Sequence, residues 1–133
     1  MIVLAGVAIL IAGCSQHQKS DQATLQGTWS GRQIRIEHPC SLIISGTNYE
    51  FRDEADTNAW NKGTFTLRED TNPRQYIAVI SECNFPKFVG KTIMAIYQLE
   101  GDTLTMTWNA PGNPAAPSAF DARGAACMEL KRQ

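Results

Sequence analysis

Four cysteines, two histidines and a knot of carboxylates are the side chains of this 133-residue chain suited to nucleophilic, redox or metal chemistry. His38 and Cys40 offer a metal ion one nitrogen and one sulfur, and Cys83 or Cys127 would be a third ligand. Structural zinc sites use two closely spaced ligand pairs, and this single loose pair does not supply them, so no metal is expected. His17 lies in a polar stretch and reads as solvated. Nucleophilic catalysis needs a base beside the nucleophile and a group to orient that base. There is no Gly-x-Ser-x-Gly, and neither histidine has a Ser or Asp context that suggests a triad. Glu50, Asp53, Glu54 and Asp56 cluster beside a turn and read as a solvated charged loop. Glycine-rich phosphate loops are absent. No enzyme and no cofactor is expected.

Composition narrows the classes further. With 43% hydrophobic and 19% charged residues, the chain suits one globular domain. A domain of this size buries roughly two-thirds of its unfolded surface, enough for a core. A net charge of −1 offers no basic stripe for nucleic acid, so no such partner is expected.

Ile2 to Ala12 is an unbroken apolar run, followed by Gly13 and Cys14. A membrane-spanning helix needs about 20 residues, so the run is too short to cross but suits the apolar part of a secretory leader. Ile11-Ala12-Gly13-Cys14 resembles the lipobox of bacterial lipoproteins. The resemblance implies cleavage after residue 13 and acylation of Cys14, leaving the mature chain held on a membrane. Several acyl chains make such attachment effectively permanent, at about 0.8 kcal/mol for each buried methylene. Ser15, rather than Asp, follows the cysteine, which in this family implies sorting to the outer membrane of the cell envelope. The departure from the pattern is the lack of Lys or Arg before the apolar run, which points to a start further upstream. Residues 14–24 are polar and aperiodic and read as a tether, so the folded domain is expected over residues 25–133.

An exported chain meets an oxidising environment, and three cysteines remain after Cys14. One disulfide with one thiol left over is the expected state. In an up-and-down meander, Cys40 and Cys127 both open strands that run the same way, whereas Cys83 closes one at the other rim. That favours Cys40–Cys127, with Cys40–Cys83 or three free thiols as alternatives. Against the first pairing, Met128 and Leu130 pointing inward would turn Cys127 outward.

The elements that must position these groups read as strands. Ile93 to Trp108 is two alternating runs joined at Gly101-Asp102, a dipeptide suited to a tight hairpin. Folding there sets Leu99 opposite Leu104, Tyr97 opposite Met106 and Ala95 opposite Trp108, all on one dry face. Upstream, strands are expected from Leu25 through Glu37, with a break at His38-Pro39, and from Cys40 to Phe51 with a kink near Gly46. Others are expected over Lys62–Leu67, with Phe65 and Leu67 inward, and over Tyr76–Ser81, covered on both faces. Asn109 to Pro117 is proline-rich loop, followed by short strands near Ser118–Phe120 and Ala125–Lys131. About eight strands at roughly 12-residue spacing, without an amphipathic helix, predict an all-β, antiparallel up-and-down barrel.

Gly27-Thr28-Trp29 resembles the Gly-x-Trp that begins the first strand of lipocalins, and the resemblance makes Trp29 a residue that closes one end of the barrel. LQGTW at Leu25–Trp29, KGT at Lys62–Thr64 and IYQLEGDTL at Ile96–Leu104, with Phe120 and the terminal Leu130-Lys131-Arg132, resemble in order an uncharacterised lipocalin-like family expanded in planctomycetes. Ala95 stands where that family usually has Gly, and Ala116-Pro117 lacks its Arg before Pro. That family implies a fold but no activity. A barrel of eight strands is either filled by side chains or holds one small ligand. Phe65, Leu67, Tyr97, Met106 and Trp108 are the candidate lining for a small apolar ligand. The alternative is an inert barrel whose loops engage an envelope protein. Trp60 and Tyr49 are placed near loops, where they would shape a mouth.

Overall fold

The computed structural model describes residues 19–133 and shows a closed barrel of eight antiparallel strands, each bonded to its sequence neighbour and the last to the first. The strands are β1 (Gly27–Gln33), β2 (His38–Ser45), β3 (Asn48–Asp53), β4 (Trp60–Arg68), β5 (Arg74–Cys83), β6 (Thr92–Glu100), β7 (Thr103–Trp108) and β8 (Ala126–Arg132). A single helical turn, α1 (Asp21–Thr24), precedes them. The leader, the lipobox and Cys14 lie outside the described residues. Among the described residues no helix is long and apolar enough to cross a membrane.

The β6–β7 hairpin has the register read from its alternation: Leu99 faces Leu104, Tyr97 faces Met106 and Ala95 faces Trp108. Gly101 takes φ +57° at the turn, a conformation that L side chains rarely adopt. Gly46 does the same at φ +62°. Here the structure differs from the expected kink, because Gly46-Thr47 is a full hairpin turn that splits Cys40–Phe51 into β2 and β3. Three other expectations also change. Ile34–Glu37 leaves the sheet as a turn, and His38-Pro39 lies within β2 rather than interrupting a strand. Ser118–Phe120 forms no strand. On β5 the inward face (Tyr76, Ala78, Ile80) is buried, but outward Val79 is exposed, so that strand is covered on one side.

Closure depends on close backbone approach at two glycines, Gly31 and Gly63, the latter with a Cβ position 1.9 Å from the carbonyl oxygen of Val79. A Cβ at Gly31, where β1 bonds both β2 and β8, would sit 2.0 Å from the carbonyl oxygen of Glu129. Only glycine lets the wall bend there.

The two ends of the barrel differ. The connections 46–47, 69–73 and 101–102 and α1 occupy one end, and the connections 34–37, 54–59, 84–91 and 109–125 occupy the other. At the first end Trp29 is fully buried, and its indole donates to the Leu25 carbonyl at 2.9 Å. The Arg132 guanidinium lies 4.3 Å from the centre of that ring and donates to the carbonyls of Gln26 (3.0 Å) and Thr24. Asp21 accepts from the Tyr97 hydroxyl and from Arg74, both at 2.7 Å. Residues 21–24, expected as the end of a free tether, are therefore a docked plug. We call this end the floor and the other the mouth.

Candidate functional site

The inward side chains do not quite fill the barrel. A cavity of about 60 Å³ remains toward the mouth, walled by Leu42, Ala78, Ala95, Met106 and Met128, with Tyr49 and Tyr76 also in contact. Half-buried Phe51, Asn61, Ile93 and Trp108 complete the lining and mark where it opens. Phe51 packs edge-on against Trp108 with ring centres 6.0 Å apart. The space suits one or two waters or a compact group of a few heavy atoms, well short of the roughly 300 Å³ at which drug-sized pockets begin.

Of the five candidate lining residues, the structure brings Met106 and Trp108 to this cavity. Phe65, Leu67 and Tyr97 belong instead to the packed core below it. Phe65 stacks on Tyr76 at 4.9 Å, and Tyr97 is held at the floor by Asp21. The other lining residues lie outside the five candidates, among them Tyr76, Asn61, Phe51 and Met128, and Tyr49, expected to shape a mouth, lines the cavity as well. Tyr49 was placed near a loop, but the hairpin at Gly46 puts it on the inward face of β3, where it pairs with Ile44. The period-two alternation of β3 and β5 carried that information once the turn was located.

Polar atoms are few here and unevenly matched. The Tyr49 hydroxyl donates to the Asn61 side-chain oxygen at 2.7 Å. The Tyr76 hydroxyl has no hydrogen-bond partner among the described residues, although Tyr76 is only 3% exposed. Burial pushes both phenols above their ordinary range, so both stay neutral. No Lys, Arg, His, Asp or Glu lines the cavity.

A separate polar cluster sits on the rim. Asp53, expected in a solvated loop, is buried at the end of β3. Its Oδ2 lies 2.7 Å from His38 Nδ1 and accepts from Gln33 at 3.0 Å, while Oδ1 accepts the amides of Ala55 (2.8 Å) and Asp56 (3.0 Å). Burial alone would raise this carboxyl, but the His38 bond and the two amides outweigh it and hold it below the ordinary value. Among the described residues no group of three or more His, Cys, Asp or Glu is arranged to hold a metal.

The expected Cys40–Cys127 disulfide is not formed, and Cys40, Cys83 and Cys127 are all free. β1 lies between β2 and β8, and Gly31 pairs with Cys40 on one side and Leu130 on the other, so Cys127 is two strand spacings away, about 10 Å, and a further three residues along the strand, well beyond the roughly 7 Å a bridge allows. They also occupy opposite faces of the wall. Cys40 points inward, whereas Cys127 points outward beneath the 109–125 segment, where neighbouring Thr107 donates to the Phe120 carbonyl at 3.0 Å. The Gly46 turn adds a strand upstream of Cys83 and so moves it to the same rim as the others, but β3 and β4 separate it from Cys40. Burial, with the charges of Asp53 and Glu54, raises the Cys40 thiol to about 11, so it is a poor nucleophile.

Two wider depressions lie on the outer wall. The larger, about 590 Å³, is bordered by Ile34 and Pro39 together with Arg32, Glu37, Glu129 and Lys131.

Fold and site together define a small up-and-down β-barrel, plugged at the floor and open at the mouth onto an apolar cavity. No family model matches the chain, nor does any curated protein or solved structure.

Proposed function

We propose that this chain is an envelope lipoprotein, held on a membrane by acylated Cys14, whose barrel takes up part of a small apolar molecule through the mouth. The observation that carries the reading is the apolar cavity opening between Phe51, Ile93 and Trp108 while the other end is plugged. A cavity of about 60 Å³ admits a compact group, so the rest of the molecule would lie in the mouth. Met106 and Met128 flank the space, and methionine repacks readily around an irregular guest. Native mass spectrometry of the purified protein, with extraction of any co-purifying small molecule, tests the uptake. A discrete adduct is expected. Its absence, with the Met106 and Met128 methyl resonances unmoved by added apolar probes, counts against the reading. The anchor is tested by metabolic labelling with a fatty-acid analogue, where Cys14→Ser is expected to abolish the label.

One observation favours a second reading, an interaction module on an inert barrel. Phe85 (50% exposed) and Val89 (49% exposed) project from the 84–91 loop, beside a 3-10 turn over Pro86–Phe88. If this loop docks on an envelope protein, Phe85→Ser with Val89→Ser abolishes that association. It should leave stability within about 0.5 kcal/mol, as expected for exposed sites, and should leave cavity occupancy unchanged.

A further inference from the structure

Exposed apolar side chains are not spread evenly over the barrel. Among the described residues, Ile34, Ile36, Phe85 and Val89 stand exposed on mouth connections, whereas the floor connections carry no large apolar side chain. Closure of eight strands in sequence order puts 34–37 and 84–91 on opposite sides of the mouth. At 34–37, Arg35 and Glu37 offset each other. At 84–91 both charges are positive, Lys87 and Lys91, and both side chains are exposed. Neighbouring acids are engaged elsewhere. Glu82 pairs with Lys62 at 3.2 Å. On the 54–59 connection, which Asn84 reaches through Asn58 at 3.2 Å, Glu54 accepts from Ser41 (2.9 Å) and Asp56 from the Asn58 amide (3.0 Å).

The 84–91 loop presents its apolar tip without rearranging. The amides of Phe88 (to Phe85, 3.0 Å), Val89 (to Pro86, 3.2 Å), Gly90 (to Ile80, 2.7 Å) and Lys91 (to Phe88, 3.0 Å) are bonded within the fold, and Pro86 has no amide hydrogen to satisfy. The Phe85 and Phe88 rings meet edge-on with centres 6.2 Å apart, and Lys87 Nζ sits 5.0 Å from the Phe88 ring centre. Entry into lipid requires main-chain groups that are already satisfied, because acyl chains offer them nothing. A protein partner, by contrast, would find little free main chain here to bond.

We infer that the 84–91 loop docks the mouth on a lipid surface bearing anionic headgroups. Phe85 and Val89 enter the boundary of the acyl chains, and Lys87 and Lys91 meet the headgroup phosphates. Such docking does not depend on what fills the cavity.

Lipid nanodiscs test this with the full-length chain carrying Cys14→Ser. The chain is first saturated with unlabelled discs, which occupy the apolar run from Ile2 to Ala12, and is then titrated with discs carrying a spin-labelled phospholipid. Paramagnetic broadening of the Phe88 and Gly90 amide resonances is the readout, with Gly46 and Gly101 at the floor as controls. Labelled discs of phosphatidylcholine and phosphatidylglycerol in equal parts are expected to broaden the loop amides and leave the floor amides sharp. Discs of phosphatidylcholine alone should act about thirtyfold more weakly, the worth of two lysines at an anionic surface. Lys87→Gln with Lys91→Gln should bring the mixed discs down to that level. Phe85→Ser with Val89→Ser should abolish the broadening while the barrel resonances stay in place. Equal broadening at loop and floor, or broadening that survives loss of Phe85 and Val89, overturns the docking. Equal affinity for the two compositions overturns the assignment to anionic headgroups. Loop amides that stay sharp on every disc overturn the inference outright and leave the tip to a protein partner.

Discussion

A carboxylate can stay charged inside a barrel wall only if its lone pairs are used, and Asp53 uses both oxygens. Through Oδ2 it holds His38 and Gln33, and through Oδ1 the amides that begin the 54–59 connection, so one side chain ties two rim loops to the sheet. Its folded-state value lies below the ordinary carboxyl value of about 3.9, so the unfolded chain binds the proton more readily. Stability from this group is therefore complete above about pH 4 and is lost as the pH falls through the lower, folded-state value. Asp53→Asn should cost roughly 1–3 kcal/mol near neutrality and flatten the acid limb of the profile. Chemical denaturation from about pH 3 to about pH 7 measures both effects; an unchanged acid limb would show that Asp53 is not the group responsible. Residues of this kind were hard to read in advance. Composition marks Glu50, Asp53, Glu54 and Asp56 alike as a charged run, and only the parity of β3 separates the inward Asp53 from outward Arg52 and Glu54.

The β6–β7 hairpin was legible at the level of the element because every signal in it agrees. A glycine turn, clean alternation, and a small alanine facing a large indole all specify one register. The β2–β3 hairpin is not legible in the same way, because CSLIISGTNYEF keeps its β-forming residues on both sides of Gly46, so a kink and a turn look alike in the pattern. One turn more or less changes everything downstream of it. Without the Gly46 turn, Cys83 falls on the wrong rim and Tyr49, a cavity residue, beside a loop. A lone glycine inside a strand marks a bulge, a bend or a close approach, and sequence alone does not choose among them. Gly31 and Gly63 are close-approach cases. Gly31→Ala would push a methyl against the Glu129 carbonyl and the Leu130 backbone, neither of which is the free end of a side chain. The variant should lose about 3 kcal/mol or more, or fail to close β1 onto β8. Thermal unfolding, with amide exchange along β8, reads the result, and a loss below about 1 kcal/mol would mean that the wall can give.

For the molecule as a whole, antiparallel order and the division into wet and dry faces follow from spacing and alternation. The strand number agrees only because the unseen split of β2 from β3 offsets the strand expected at Ser118–Phe120. The cavity does not follow from the sequence, because it is the small remainder left after large side chains pack, and no pattern in the chain encodes a remainder. Closure also joins residues far apart in sequence. Arg132, at the end of β8, covers Trp29 and caps carbonyls at Thr24 and Gln26, so the last strand locks α1 and the first. Arg132→Ala should lower global stability by about 2 kcal/mol, through the lost ring contact and two orphaned carbonyls. Amides of α1 should lose exchange protection before those of β6 and β7; uniform loss across the barrel would argue that the plug and the wall unfold as one unit.

The plug carries one more implication. Because the chain enters the barrel through α1, whatever grips its leading segment grips the vessel by its base, and the aperture is turned away from that point of attachment. Under the proposed anchoring at Cys14, the mouth is the end of the barrel opposite the one at which residues 19–24 enter.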